Sequence, residues 1–309
     1  MVTLPTSPKG PTVCVVTNTS AADAELQLIE AGIAALGCGP CEIEILSVGP
    51  ALSESDRSAI HEYLQDTYNA HGAFIFGPDV AFFDETEAVY DVVDEACQVL
   101  GEVGLIVRNP GELRAAAPRL LAAVRATNRI LPAKTSEVLI LGAGPDARAL
   151  AAALSRGMCG AKPEKITLAS TDAAGLTIAR NRLTENLPEG RLEIRHVDNA
   201  SELGRLLALL PPDSAIVRSV NARETDISVT DSAVLFPTGA VIWDFLTPAA
   251  QSRFLAAAVP QRKTSTLTLS DGTAYSEESG IVALETMFGD EASDKALIRL
   301  REAIQSLSA

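Results

Sequence analysis

A chain of 309 residues, 47% hydrophobic and 21% charged, has the composition of a globular protein with room for two cores. Its formal charge of −15, offset by no basic run, excludes nucleic acid and anionic membrane surfaces as expected partners, because both select a basic surface. Met1 to Gly10 lacks the apolar stretch of a signal peptide, and five cysteines make no even disulfide framework, so a reducing cytoplasm is the expected location. A small-molecule substrate is the expected partner, and association with a second copy as a homodimer is left open.

Taken in order, residues 12–17 form a first apolar run, followed by Asn18, Thr19 and Ser20 as candidate caps. Leu26, Leu28, Ile29, Ile33 and Leu36 mark one face of a helix. Glu42 to Val48 alternates as a strand, Ser55 to Tyr68 reads as a helix, and Ala73–Phe76 is a strand closed by Gly77-Pro78. A helix over about 85–100 then leads to a strand at Val103–Val107. This third of the chain is β-α-β-α-β-α-β, a small α/β domain of its own.

Leu113 to Ile130 reads as a helix linking two domains, stopped by Pro132. Val138-Leu139-Ile140-Leu141 suits a buried parallel strand and runs directly into Gly142-Ala143-Gly144-Pro145-Asp146-Ala147-Arg148. Ala147, Leu150, Ala151 and Leu154 recur at i, i+3, i+4 and i+7, one face of the next helix. Strand, glycine turn and helix are the parts of a dinucleotide-binding βα unit. Gly142 permits the tight turn, Gly144 lets a pyrophosphate reach the backbone, and small Ala147 lets helix and strand close up. Gly142, Gly144, Pro145, Asp146 and Ala147 are therefore the expected cofactor-binding residues. Strands at 166–169, 192–197, 215–220, 240–244 and 266–269, with helices between the earlier ones, complete a Rossmann doubly wound parallel sheet.

The expected end of the second strand reads Leu168-Ala169-Ser170-Thr171-Asp172. A ribose 2′-phosphate calls for an arginine, and none stands between Gly157 and Ile178. Asp172 accepts hydrogen bonds from a ribose diol, which favours NAD over NADP; its competing role is the N-cap of the following helix.

The order of elements resembles the shikimate dehydrogenase family over most of the chain. Gly142 to Ala149 is similar to its glycine loop, GAGGAARA. Ala96 to Val107 resembles A-x-x-x-G-A-V-N-T-V-V, and Val241 to Pro248 resembles a late strand ending in Asp and Pro. Gly280 to Glu285 falls where the family has G-M-L-V-x-Q, and Asn221-Ala222 is similar to its N-A-T-P turn beside the nicotinamide. The resemblance implies a substrate domain at 1–118, a Rossmann domain at 119–279, and a last segment, 280–309, packing back on the first. It also adds Asn221 to the cofactor residues.

The substrate motifs are replaced. Of the family's S-x-S-P-x-x-H-N only Ser20 is left, as the expected substrate-binding residue. Where V-T-I-P-H-K supplies a lysine, this chain has Val80; where N-T-D supplies its partner aspartate, the chain has Ala117-Pro118-Arg119; the GAVN asparagine is Gly104 and the late glutamine is Glu285. A lysine–aspartate pair handles the proton beside a hydride acceptor, and a valine and an arginine do not. Asp79, Glu285 and Arg119 are the substitute catalytic candidates, the carboxylates as acid or base and Arg119 as the holder of an anionic substrate. For Asp79 and Asp23 the competing reading, as turn and cap residues, is the preferred one.

His61, His71 and His196 have no metal-ligand partner at a useful spacing, so no metal is expected. Cys38-Gly39-Pro40-Cys41 follows a helix and precedes a strand, the reverse of a redox C-x-x-C, and reads as a Gly-Pro turn. The leading expectation is an NAD(P)-dependent oxidoreductase acting on a hydroxy or keto compound other than shikimate. Its rivals are a non-catalytic nucleotide-binding or regulatory protein that lost the lysine–aspartate pair, and a structural relative whose glycine loop is only a turn.

Overall fold

A computed structural model describes residues 11–17, 23–37, 41–48, 52–67, 70–77, 79–83, 89–184, 190–220, 235–245, 252–289 and 293–308. Ser20, Asn221 and Cys38 lie outside the described residues, as does the side chain of Asp79. The chain divides into two compact units, residues 1–119 with 279–309, and residues 120–278.

The first unit is built on a six-stranded sheet of order β2-β1-β3-β5-β6-β4. The strands are β1 (Thr12–Thr17), β2 (Glu42–Ser47), β3 (Ala70–Phe76), β4 (Val92–Val93), β5 (Leu105–Asn109) and β6 (Glu112–Ala116). β2 and β3 flank β1 in parallel, whereas β5 runs antiparallel to both β3 and β6. Helices α1 (Asp23–Leu36), α2 (Glu54–Asp66), α3 (Asp79–Phe83) and α4 (Glu95–Leu100) connect the strands.

Two sequence expectations give way here. Of the helix expected over 85–100, residues 85–88 lie outside the described residues, and residues 92–100 are a two-residue strand followed by α4, because Asp91 and Asp94 donate backbone N–H bonds to Leu113 and Ala115 of β6. The helix expected from Leu113 begins only at Arg119: Leu113 to Ala116 pair with β5 from Arg108 to Leu105. Alanines are good helix formers, but the hairpin partner supplies ladder bonds that outweigh that small preference.

The core of this unit joins Val13 and Val15 of β1 to Phe74, Leu105 and Val107. It is closed by Ile29 and Ile33 of α1, Ile281 and Leu284, and Leu300 and Ile304. The last four belong to two helices at the end of the chain, Thr273–Phe288 and Asp294–Ser308. Burying each such side chain contributes about 1.5–3 kcal/mol.

The second unit contains β7 (Glu137–Leu141), β8 (Lys165–Ser170), β9 (Leu192–His196), β10 (Ala215–Arg218), β11 (Val241–Asp244) and β12 (Thr268–Ser270). Their order is β12-β11-β10-β7-β8-β9, every pair parallel, which is the doubly wound arrangement with its reversal between β7 and β10. In chain order the remaining helices are α5 (Arg119–Ile130), α6 (Pro145–Ser155), α7 (Ala173–Leu183), α8 (Ala200–Ala208), α9 (Arg253–Ala258), α10 (Thr273–Phe288) and α11 (Asp294–Ser308), of which α11 and α10 from Ser279 onward belong to the first unit. α6 is buried all round, which its run of alanines allows. The other face of the sheet packs Leu139, Leu141, Ile216 and Ile242 against Leu203, Leu207, Phe254 and Leu255.

Burial pushes the Cys14 thiol up to about 12, with Glu44 and Cys41 adding to it, and burial pushes Cys159 up to about 11, both from 9.0. The folded chain holds these thiol protons more tightly than the unfolded chain does, so their contribution to stability is complete below pH 9 and is lost as pH rises through 11–12. Urea midpoints measured from pH 8 to 11 should fall at the alkaline end. Iodoacetamide at pH 8 should leave Cys14 and Cys159 unmodified in the folded protein; rapid labelling of both would contradict this.

Candidate active site

β7 delivers the glycine loop to the carboxyl edge of the second sheet, at the point where the strand order reverses. In open α/β sheets that crevice receives ligands. Gly142 has φ +128°, and a Cβ there would lie 2.3 Å from the carbonyl oxygen of Ser219. Its N–H donates to Ala169 of β8 at 2.8 Å, while Ser219 N–H donates to Leu141 at 2.7 Å. The turn is thus wedged between its two neighbouring strands, where only glycine fits.

Gly144 stands at the N-cap of α6 in extended backbone, with Pro145 opening the helix. A glycine cap offers no side chain to the first-turn N–H groups, and these with the helix dipole make an anion-binding end. Arg148 is 2% exposed and donates from Nη1 to the carbonyl of Ala143 at 3.1 Å, bracing the loop from its own helix. Asp146, in the first turn, accepts a hydrogen bond from the Tyr275 hydroxyl, and the Tyr275 ring stacks on Phe245 at 3.8 Å.

Asp172 caps α7. Its Oδ1 accepts from the N–H groups of Ala174 and Gly175, both at 3.0 Å, while its own N–H donates to Ser170 Oγ. Gly175 brings α7 against the loop: a Cβ there would meet Ala143 Cβ and O at 3.0 Å and Asp172 Oδ2 at 2.7 Å. His196, which sequence reading sets away from the cleft, ends β9 opposite Ser170, with Nε2 3.3 Å from the Thr171 carbonyl oxygen.

Two features of this edge have no sequence motif. Ser219 is 1% exposed, and its Oγ has no hydrogen-bond partner although it follows β10 directly beside Gly142. Arg218, ending β10, reaches the fully buried carboxylate of Asp244 on β11 at 3.2 Å, and Ser252 donates to the same carboxylate at 2.6 Å. Neighbouring β10 and β11 place this pair in register.

In the first unit, the ends of β3 and β6 and the start of β5 share one edge. Ile75 N–H donates to Gly104, and Gly104 N–H donates to Ala116, each at 3.0 Å. Arg119 follows β6 there, with its Nη1 3.2 Å from Glu102 Oε1. Asp79 opens the short helix after β3, which also holds Val80. Glu285, on α10, accepts from the Arg301 guanidinium of α11. His61 is buried and shares a 2.7 Å hydrogen bond with the Tyr90 hydroxyl. Among the described residues, no group of three His, Cys, Asp or Glu could hold a metal, and no helix is long and apolar enough to cross a membrane.

No protein-family profile and no curated protein matches the sequence. Solved structures do match. The shikimate dehydrogenase of Mycobacterium tuberculosis superposes with a TM-score of 0.69 at 16% identity, over 96% of this chain and 99% of that one. The fold is that of the shikimate dehydrogenases. Quinate dehydrogenase from Corynebacterium glutamicum, solved in complex with NAD, shares this fold at a TM-score of 0.70 and 19% identity, over 96% and 99% of the two chains. So does ligand-free 5-ketofructose reductase of Gluconobacter sp. strain CHM43, at 0.66 and 18%, over the same shares. The shikimate dehydrogenase fold thus extends over nearly the whole chain while four residues in five differ.

Proposed function

We propose that the chain is an NAD(P)-dependent oxidoreductase acting on a small hydroxy or keto compound other than shikimate, with NAD as the preferred cofactor. The observation that carries this reading is the Gly142 turn, wedged against Ser219 at the strand-order reversal, with an uncapped helix end behind it. Gly142, Gly144, Pro145, Asp146 and Ala147 would form the pyrophosphate cradle, with Asn221 near the nicotinamide. Asp172 beside the loop would meet the adenosine ribose. NAD, once bound, supplies the hydride acceptor; the protein's part is to orient it and exclude water. On the substrate side, Ser20 and Arg119 would bind and Asp79 or Glu285 would move the proton. A non-catalytic nucleotide-binding role is the second reading, favoured by the aliphatic Val80 and by the ion pairing of Glu285 with Arg301.

Fluorescence titration using the single tryptophan, Trp243, tests the cofactor directly. NAD should bind more tightly than NADP, and no binding of either at millimolar concentration would sink both readings. Changing Asp172→Ser with Ala173→Arg should reverse the preference by about tenfold or more, since serine still caps α7 while arginine can pair with a 2′-phosphate. An NADH-absorbance screen of hydroxy acids and polyols then separates the enzyme from the non-catalytic reading.

A further inference from the structure

Of the five residues read as the pyrophosphate cradle, Asp146 alone carries a charge, and its sign is that of a phosphate. The loop it resembles, GAGGAARA, has alanine at this position. A first-turn carboxylate suits the dipole of α6, but it competes for that end with any anion bound there. Tyr275, on α10, donates its hydroxyl to the Asp146 carboxylate. The tyrosine is 4% exposed, and its ring stacks on Phe245 at 3.8 Å and 28°. Phe245 is fully buried in turn, 4.8 Å from Trp243, whose Nε1 donates to the Asp271 carbonyl oxygen at 2.8 Å. The hydroxyl thus stands at the end of a packed aromatic row, and every residue of that row belongs to the second unit.

A separate observation points to a ligand at the same edge. Ser219, whose Oγ is buried without a hydrogen-bond partner, adjoins Gly142, and a buried hydroxyl is costly until a bound group pairs with it. Charges of one sign at one helix end repel, and a donor that holds one of them in place and shares its charge lowers that cost. We propose that Tyr275 is a positioning residue: its hydroxyl holds the Asp146 carboxylate on α10, so that the end of α6 receives a pyrophosphate despite the acid in its first turn. This rests on the cofactor reading and names what tunes that site.

The test measures NAD affinity calorimetrically on the full chain. Asp146→Asn keeps an acceptor for the hydroxyl but removes the charge, and should tighten NAD about three- to tenfold. Tyr275→Phe keeps the stack on Phe245 but removes the donor, and should weaken NAD about three- to tenfold. In the Asp146→Asn background the same change should cost less than about twofold, because no charge is left to hold. Both single effects should shrink as salt rises from about 10 mM to about 1 M, where the Debye length falls from about 30 Å to about 3 Å. A Tyr275 that only packs would instead weaken NAD alike in both backgrounds and at both salt concentrations.

NAD binding that Asp146→Asn leaves unchanged or weakens, or a Tyr275→Phe penalty that persists in the Asp146→Asn background or at high salt, overturns the proposal and leaves the cofactor reading standing. Failure of the unaltered chain to bind NAD would instead overturn the reading beneath it.

Discussion

Alanine at Gly142 should abolish measurable NAD binding and lower the unfolding temperature of the second unit. The φ of +128° already excludes a comfortable alanine, and the added carbon would lie 2.3 Å from the Ser219 carbonyl oxygen. No side-chain rotation relieves a clash between backbone and a Cβ. Either the turn or the end of β10 has to move, and both belong to the edge that would cradle the cofactor. A residue forced into such a region costs of order 1–3 kcal/mol, apart from the displaced strand. Gly144→Ala is the informative control. With φ −65° and ψ 175°, Gly144 has backbone that any residue adopts. That variant should keep its unfolding temperature and lose affinity only because its methyl group obstructs the approach of the pyrophosphate. Equal NAD affinity in the unaltered chain and in Gly142→Ala would show that the loop is no more than a turn.

Arg218→Ala should destabilise the second unit by about 3–5 kcal/mol, because it strands a buried charge. Asp244 is 0% exposed, with Arg218 Nη1 at 3.2 Å and Ser252 Oγ at 2.6 Å. Serine alone cannot balance a carboxylate away from water. The double change Arg218→Met with Asp244→Leu removes both charges, and should recover much of the loss despite the missing bond to Ser252. Urea unfolding followed by Trp243 fluorescence reports on the same sheet, since Trp243 immediately precedes Asp244 on β11. A double variant less stable than Arg218→Ala would mean that the pair, rather than the isolated charge, is what the unit depends on.

The α/β class and the doubly wound sheet were legible because β7 and β10 carry continuous apolar runs, Val138–Leu141 and Ala215–Val217, and β8 carries Ile166, Leu168 and Ala169, with helical periods between them. Such local signals survive without knowledge of partners. β4 was not legible: two residues have no period, and only the ladder bonds to β6 make them a strand. Leu113 to Ala116 failed for the same reason, since their partner lies across a hairpin and their composition favours helix. The Glu102–Arg119 pair followed that failure. With β6 read as helix, nothing in the sequence brings residues 102 and 119 together. A usable signal existed in a lone charge between Val99-Leu100-Gly101 and Val103, an apolar stretch where an unpaired carboxylate would be intolerable. The Arg218–Asp244 pair was similarly hidden, because its register is set by the side-by-side placement of β10 and β11. The capping role of Asp172 was readable in the sequence, and the ribose contact proposed for it would use the same carboxylate.

The division of the chain also imposes an order of assembly during synthesis. The second unit is one uninterrupted stretch, whereas the first needs both Met1–Arg119 and Ser279–Ala309. Ile281, Leu284, Leu300 and Ile304 sit in the same core as Val13 and Phe74, so strands made first wait for helices made last. A chain that ends at residue 278 therefore contains everything the second sheet requires, while the earlier sheet still lacks one wall of its interior. The free fragment ending at residue 278 should protect β7 to β12 from protease and leave β1 to β3 open to cleavage.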